Sequence, residues 1–241
     1  MNKIIALQFF CQKPIFISMK HLVAILLALS FLSCQKGSLD ASGNGKLIVY
    51  NKGVPGNTSA QLVERLDTDV LDLKPQLVVI LIGTNDVSQK VPYAQYKTNV
   101  STLVTKIQAR GGKVLLLSPP PRGTAEITTP TYFSNDRNDK INLILDTLSR
   151  DLKCYYLDIN TAFKNAGSPN STASSYILNK LNSPERPDGI HLTPNGTAFL
   201  TNKVAQFITA NKLTSLNLIV CFGDSLTAVG GYPKLLQSLL K

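Results

Sequence analysis

Residues 218–227, Leu-Ile-Val-Cys-Phe-Gly-Asp-Ser-Leu-Thr, join a run of apolar residues directly to a polar turn. An apolar run without polar alternation is typical of a strand that is buried on both faces of a parallel sheet. The turn after it should open a helix and expose the hydroxyl of Ser225, a candidate nucleophile. Ser225 is not in a Gly-x-Ser-x-Gly sequence, so the common nucleophile elbow does not apply. A Gly-Asp-Ser tripeptide alone also occurs in ordinary turns.

Further apolar runs of the same kind precede this one. They lie at 47–50, 77–82, 114–117 and 154–159. Between and after the runs, apolar residues recur with helical spacing, in 62–73, 96–107, 141–152, 194–208 and 232–240. The alternation predicts an α/β fold, a three-layer α/β/α sandwich around a flavodoxin-like five-stranded parallel sheet. Ligands of such sheets bind beyond the carboxyl ends of the strands.

The N-terminal region has the composition of an export signal. A basic start at Met19-Lys20-His21 precedes an apolar run at 22–32, which is too short for a membrane span of about 20 residues. We therefore expect residues 1–33 to be a signal peptide. Met19 is a second candidate start, so residues 1–18 are a possible upstream extension.

The end of this signal resembles a bacterial lipoprotein cleavage site. The sequence is Phe31-Leu32-Ser33-Cys34, with Phe31 in place of the usual leucine. Lipidation of Cys34 would leave residues 34–45 as a flexible tether and 46–241 as the catalytic domain. The expected location is then an exported, membrane-anchored lipoprotein, periplasmic or on the outer-membrane surface. A plain signal peptide that is cut nearby is the alternative.

Charge and cysteine content narrow the classes of partner. The net charge falls from +10 to +7 without residues 1–33, because that segment holds three lysines and no acidic residue. The basic residues are scattered and are not interleaved with aromatic residues, so no nucleic-acid site is expected. Cys154 and Cys221 lie in apolar segments and are expected to be buried thiols, although a disulfide remains open.

Outside the signal, the chain holds a single histidine, His191, so a histidine-based acid–base site has one candidate. Asp188 stands three residues before it in a glycine-containing turn. A carboxylate at that spacing can hold the imidazole Nδ1–H and leave Nε2 free as a base. The pair alone is weak support, since loop histidines with a hydrogen-bonded carboxylate are common.

Two more residues are candidates to stabilise an oxyanion, the negative charge that acyl transfer builds on the carbonyl oxygen. Gly53 has no side chain, so its backbone N–H can approach closely. Asn85, in Gly-Thr-Asn-Asp, can present its amide. Each of these two residues also has a purely structural explanation. Gly53 could serve a tight turn, and Asn85 could be a helix cap or part of an Asx turn.

Taken together, these residues resemble the GDSL, or SGNH, hydrolase family, which is named for a Ser, a Gly, an Asn and a His in four blocks. The matching blocks are Gly-Asp-Ser-Leu-Thr at 223–227, residues 51–59 around Gly53, Gly-Thr-Asn-Asp at 83–86 and Asp-Gly-Ile-His at 188–191. The resemblance implies Ser225 as nucleophile, His191 as base, Asp188 as its orienting carboxylate, and an oxyanion hole from Gly53, Asn85 and the Ser225 N–H. It implies a serine ester hydrolase that needs no cofactor or metal.

The block order departs from the family, in which the Gly-Asp-Ser block normally comes first. Here it comes last, which predicts a circular permutation that moved the family's first strand and helix to 218–241. If this strand inserts between the first two, Gly53, Ser225 and Asn85 come from three adjacent strands. Trimming the chain from Tyr232 onward should then abolish activity and lower stability.

The substrate and two rival functions stay open. The connections at 118–136 and 160–187 are polar and should shape the pocket, with Arg122, Tyr132, Phe133, Phe163 and Tyr176. Without a long apolar lid, small acyl groups such as acetyl on a glycan are favoured.

Two other functions are the alternatives. One is a non-catalytic carbohydrate-binding surface lipoprotein on the same scaffold, and the other is a metal-dependent phosphoesterase, for which one histidine is too few. The oligomeric state is not predicted.

Overall fold

The computed structural model describes residues 46–123, 135–229 and 231–241, and a parallel sheet of five strands forms their centre. The strands are β1 (Ile48–Gly53), β2 (Leu77–Leu81), β3 (Lys113–Leu117), β4 (Tyr155–Leu157) and β5 (Leu218–Gly223). Every predicted strand is present. The last residues of the run at 154–159 leave β4 because Asp158 caps a helix there, accepting the Thr161 N–H at 2.9 Å.

The described helices follow the strands in alternation. They are α1 (Ser59–Asp69), α2 (Thr84–Ser88), α3 (Tyr93–Ala109), α4 (Asn135–Asp151), α5 (Ile159–Asn165), α6 (Pro194–Ala210), α7 (Ser225–Ala228) and α8 (Tyr232–Leu239), with a 3₁₀ turn at Leu71–Leu73. All the predicted long helices are present. The short helices α2 and α5 were not predicted, because one or two turns carry too little periodicity to be recognised.

The strand order is β1-β5-β2-β3-β4, so β5 lies between β1 and β2. In the register, Gly223 pairs with Gly53 on one side and with Leu81 on the other. The carboxyl ends of these three strands are therefore level. The turns that follow them meet at one edge of the sheet, which is the expected place for a ligand.

Helices cover both faces of the sheet, and the fold is the predicted α/β/α sandwich. Helices α1, α3 and α4 pack on one face, around residues such as Val78, Ile80 and Phe222. Helices α5, α6 and α8 pack on the other face, around residues such as Val79 and Leu117. Strands that are apolar on both faces are what this arrangement requires.

The cysteine prediction is confirmed for Cys221, which is buried, while Cys154 is only partly buried; both are free thiols. Within the described ranges, no helix is long and apolar enough to cross a membrane. The predictions for residues 1–45, including Cys34, and for Tyr132 and Phe133 fall outside the described residues.

Candidate active site

Ser225 is held at the end of β5 by a tight turn. Asp224 is the N-cap of α7, and its Oδ1 accepts the backbone N–H of Leu226 at 2.9 Å. A cap of this kind fixes the first turn of a helix. It leaves Ser225 as the first residue of α7, with 8% of its surface exposed.

His191 joins Ser225 to Asp188. Its Nε2 lies 2.9 Å from Ser225 Oγ, and its Nδ1 lies 2.7 Å from Asp188 Oδ2. The other carboxylate oxygen of Asp188 accepts the backbone N–H groups of Ile190 and His191, at 2.9 and 2.8 Å. The structure thus aligns a hydroxyl, an imidazole and a carboxylate.

These contacts also set the charge of Asp188. Burial by itself raises the pKa of its carboxyl, but the hydrogen bonds from His191 and Ile190 outweigh burial and lower the pKa below the ordinary value. Asp188 is therefore ionised at neutral pH and favours the tautomer with a proton on His191 Nδ1. The half-exposed guanidinium of Arg186 lies 3.4 Å from the same carboxylate oxygen.

A short antiparallel bridge holds the loop that carries His191. Leu178 N–H donates to the His191 carbonyl at 2.9 Å, and Gly189 N–H donates to the Leu178 carbonyl at 3.0 Å. Thr193 N–H donates to the Tyr176 carbonyl at 2.9 Å. This bridge was not predicted, because residues 176–178 lie in a polar connection without strand periodicity.

Arg65 of α1 was also missed, although it ties two of the turns together. Its guanidinium donates to the Gly223 carbonyl at 2.8 Å and to Asn57 Oδ1 at 2.7 Å, and it stacks on Phe222. An ion pair with Asp69 at 2.6 Å completes its contacts. The turn after β1 and the end of β5 are thereby held in a fixed relation.

Asn85 lies at the start of α2, beside the turn that follows β1. Its Nδ2 donates to the Asn57 carbonyl at 2.9 Å and lies 3.5 Å from Asp224 Oδ2. The predicted neighbourhood of Asn85 and the Gly-Asp-Ser turn is therefore present.

Gly53 is placed differently from what its expected role needs. Its backbone N–H donates to the side-chain oxygen of Asn51 at 3.0 Å. Donation to an oxyanion would require that this bond be exchanged. The absence of a side chain has another explanation, since a Cβ at Gly53 would lie 2.3 Å from the backbone nitrogen of Ala228.

A buried polar cluster underlies the site. Asp86 accepts hydrogen bonds from the Ser59 N–H and hydroxyl, and burial raises the pKa of the Asp86 carboxyl.

The prediction that Arg122 shapes the pocket is wrong. Arg122 is 1% exposed, and its guanidinium donates to the Thr84 carbonyl and to Ser88 Oγ beneath α2.

A shallow pocket opens beside the hydroxyl of Ser225. It is lined by His191, Leu192, Thr197, Ser225, Leu226 and Val229. Phe163, which was expected to help shape the pocket, is not part of its lining, because Phe163 is fully buried and packs edge-on against Tyr176 and Phe199. These rings support the bridge behind His191 instead.

A family model described as "GDSL-like Lipase/Acylhydrolase family" matches residues 37–199, more than half of the chain. Three curated proteins are similar in sequence. Esterase TesA of Pseudomonas aeruginosa is 40% identical over 78 residues, 31% of this chain and 39% of that protein. The uncharacterized lipoprotein YqeF of Bacillus subtilis is 25% identical over 178 residues, 66% of this chain and 72% of that protein. Acetylxylan esterase of Geobacillus stearothermophilus is 29% identical over 117 residues, 48% of this chain and 52% of that protein.

Two solved structures share the fold at low sequence identity. A lipase/acylhydrolase from Enterococcus faecalis has a TM-score of 0.53 at 22% identity, over 65% of this chain and 73% of that one. A putative acylhydrolase from Bacteroides fragilis has a TM-score of 0.52 at 23% identity, over 66% of this chain and 74% of that one. At these identities the likeness concerns the fold alone.

Proposed function

This chain belongs to the GDSL-like lipase/acylhydrolase family, and from this membership we propose that it is a serine hydrolase that cleaves carboxylic esters through an acyl-enzyme. The observation that carries the proposal is the contact of His191 Nε2 with Ser225 Oγ at 2.9 Å. The other ring nitrogen, Nδ1, contacts the carboxylate of Asp188.

In the first half of the reaction, Ser225 Oγ attacks the ester carbonyl while His191 Nε2 takes its proton. The ionised Asp188 stabilises the imidazolium that forms. When the tetrahedral intermediate collapses, His191 returns the proton to the departing alcohol oxygen and Ser225 holds the acyl group. A water molecule then attacks the acyl-enzyme while His191 Nε2 takes its proton. When this second tetrahedral intermediate collapses, His191 returns the proton to Ser225 Oγ and the acid leaves.

The negative charge of the tetrahedral intermediate requires donors that are already in place. We assign this role to the backbone N–H of Ser225 and the amide of Asn85. Ser225 begins α7, so no carbonyl of that helix accepts its N–H. Gly53 N–H contributes only if the Asn51 side chain releases it.

A small acyl group, such as acetyl on a glycan, is the substrate we propose. Support comes from the match to an acetylxylan esterase. The connection at 167–182 is rich in Ser, Asn and Thr, a composition that suits a hydrated sugar better than a long alkyl chain.

We further propose that the chain is a circular permutant of its family. In its support, the family-model match ends at residue 199, before the Gly-Asp-Ser block, while β5 lies between β1 and β2. Chain order is of no consequence for the relay, since geometry and not sequence order defines it.

Export and lipid anchoring at Cys34 are also proposals. They rest on the apolar run at 22–32, the lipoprotein-like sequence before Cys34, and the similarity to the lipoprotein YqeF. Expression in a bacterium with a labelled fatty acid tests them. Label should enter the wild-type protein and be absent from Cys34→Ser, and label in both would reject this anchor.

Covalent trapping tests the nucleophile without knowledge of the substrate. A fluorophosphonate should form one adduct on Ser225, located by mass spectrometry, because among the described residues it is the Ser225 hydroxyl that contacts an imidazole. Ser225→Ala should stay unlabelled, and the exposed-serine variant Ser238→Ala should label like wild type. An adduct on another serine, or none on folded protein, would contradict the assignment.

A further inference from the structure

Asp224 belongs to the Gly-Asp-Ser turn, yet no step of the proposed reaction uses it. Its carboxyl is completely buried beside the site. Burial of a carboxylate is costly unless it is hydrogen-bonded, so its contacts indicate its role.

Each oxygen of Asp224 contacts a different part of the site. Oδ1 accepts the Leu226 N–H at 2.9 Å, and Oδ2 lies 3.5 Å from Asn85 Nδ2. One carboxylate therefore joins the helix that begins with Ser225 to the amide at the start of α2. The separation of 139 residues along the chain makes this a tertiary link between two active-site groups.

The amide of Asn85 has two N–H groups to place. Asn57 accepts from it at 2.9 Å, a normal hydrogen bond, whereas the contact to Asp224 is at the outer limit for one. Two acceptors on one nitrogen fix the plane of the amide. The weaker of the two contacts is the one that a better acceptor, such as an oxyanion, would replace with little movement.

We propose that Asp224 is a positioning residue, whose Oδ2 orients the Asn85 amide toward the reacting carbonyl while Oδ1 fixes the turn of Ser225. The proposal rests on the proposed esterase function and assigns Asp224 no contact with the substrate. A purely structural N-cap would act through Leu226 alone, without involving Asn85.

The substitution Asp224→Asn separates these roles. It keeps the volume and one oxygen for the Leu226 N–H, but it turns an N–H₂ group toward the N–H₂ group of Asn85. We expect kcat to fall on the order of tenfold, as for loss of one charge-assisted hydrogen bond, with KM unchanged.

A double-mutant cycle with Asn85→Ala supplies the decisive comparison. If Asp224 acts through Asn85, Asp224→Asn should lower kcat little in the Asn85→Ala background. The matched control is Asp158→Asn, which alters the N-cap carboxylate of another helix, α5, bonded to Thr161 and not to the Asn85 amide. Its effect should be the same in both backgrounds. An equal loss from Asp224→Asn in both backgrounds, or no loss at all, would overturn the proposal.

A measurement that needs no ester hydrolysis tests the role of Asp224 independently of the proposed esterase function. The side-chain amide signals of Asn85 in an NMR spectrum can be assigned by their loss in Asn85→Ala. They should shift in Asp224→Asn, and unshifted signals would overturn the proposal even if no ester were hydrolysed. If the signals shift but the effects of Asp224→Asn and Asn85→Ala on kcat are additive in an active enzyme, Asp224 contacts Asn85 without contributing to catalysis through it. That result would reject the proposed effect on kcat and leave the esterase function intact.

Discussion

Gly53 packs against Ala228 so closely that a Cβ on Gly53 would lie 2.3 Å from the Ala228 backbone nitrogen. Two neighbouring segments, the end of β1 and helix α7, touch through their backbones at this point. Val54 N–H reinforces the contact by donating to the Gly223 carbonyl at 3.0 Å. The position of Ser225, at the start of the same helix, therefore depends on the missing side chain of Gly53.

We predict that Gly53→Ala displaces α7 and lowers both stability and ester hydrolysis. The added methyl group meets backbone atoms, which cannot rotate away, so a loss of about 1–3 kcal/mol in the free energy of unfolding is expected. Denaturant unfolding and kcat measure the two effects. Val54→Ala, at the next residue, is the control, because the Val54 side chain is 40% exposed and its loss leaves the packing of Gly53 on Ala228 intact. Unchanged stability and activity in Gly53→Ala would contradict the packing role.

A second prediction concerns Gly196 in the first turn of α6. A Cβ on it would lie 2.2 Å from the Tyr176 carbonyl oxygen, in the segment that bonds to the loop of His191. Gly196→Ala should therefore shift His191 and lower kcat by about tenfold or more, consistent with the sensitivity of catalysis to small displacements. Steady-state kinetics check this. The exposed Gln206 lies on the same helix, so Gln206→Ala is the control and should have the kcat of wild type. Equal rates for wild type, Gly196→Ala and Gln206→Ala would show that the packing of Gly196 does not affect His191.

Acyl selectivity supplies a third prediction. Val229 lines the pocket beside Ser225 and is 46% exposed, while Val54 is 40% exposed and is not part of the pocket lining. Val229→Ala enlarges the pocket by two methyl groups and should raise the rate on a butyrate ester relative to an acetate ester about tenfold, the scale for one or two buried methylenes. The matched variant Val54→Ala should leave the ratio unchanged. The same ratio in both variants would mean that the acyl chain lies elsewhere.

The fourth prediction follows from the protonation of Asp224. Burial and the charge of Asp86 raise the pKa of its carboxyl to about 7, although the Leu226 N–H and His191 oppose this. The charge of Arg122 also acts on it. An unfolded aspartate titrates near pH ~4, so between about pH 4 and 7 the folded chain binds more protons at this site than the unfolded chain. Stability from this group is present below that window and is lost as the pH rises through it.

Asp224→Asn removes this titration. The free energy of unfolding of the variant minus that of wild type should therefore be larger at pH 8 than at pH 5, and it should rise steadily between the two. The relative gain is expected to be at most a few kcal/mol. Denaturant unfolding at a series of pH values measures it. A difference between the two proteins that stays constant with pH would show that the Asp224 carboxyl does not titrate in this window.

Much of the fold was predictable because its determinants are local. Runs such as 77–82 and 218–222 are apolar throughout, and helices such as α6 begin with a cap and a proline, Thr193 and Pro194. The insertion of β5 between β1 and β2 could be predicted only through the family resemblance. Periodicity alone does not determine which strands are neighbours.

The site was predictable in its residue types but not in its supports. Ser225, His191 and Asp188 carry recognisable chemistry in short motifs, whereas the contacts of Asn51, Arg65 and Tyr176 are made across the fold and leave no local pattern. Arg122 shows the opposite error. A charged residue in a polar connection is normally exposed, but the carbonyl of Thr84 and the hydroxyl of Ser88 accept hydrogen bonds from the buried guanidinium of Arg122.

Hydrolysis of p-nitrophenyl acetate by the folded domain, beside its Ser225→Ala variant, tests the central claim most directly. Wild type should turn over, and the variant should lose several orders of magnitude in kcat while unfolding at a similar temperature, because the relay from Asp188 through His191 then has no nucleophile to activate. A folded wild-type protein without turnover, or a variant as active as wild type, would contradict the account and favour a non-catalytic, carbohydrate-binding role for the same scaffold.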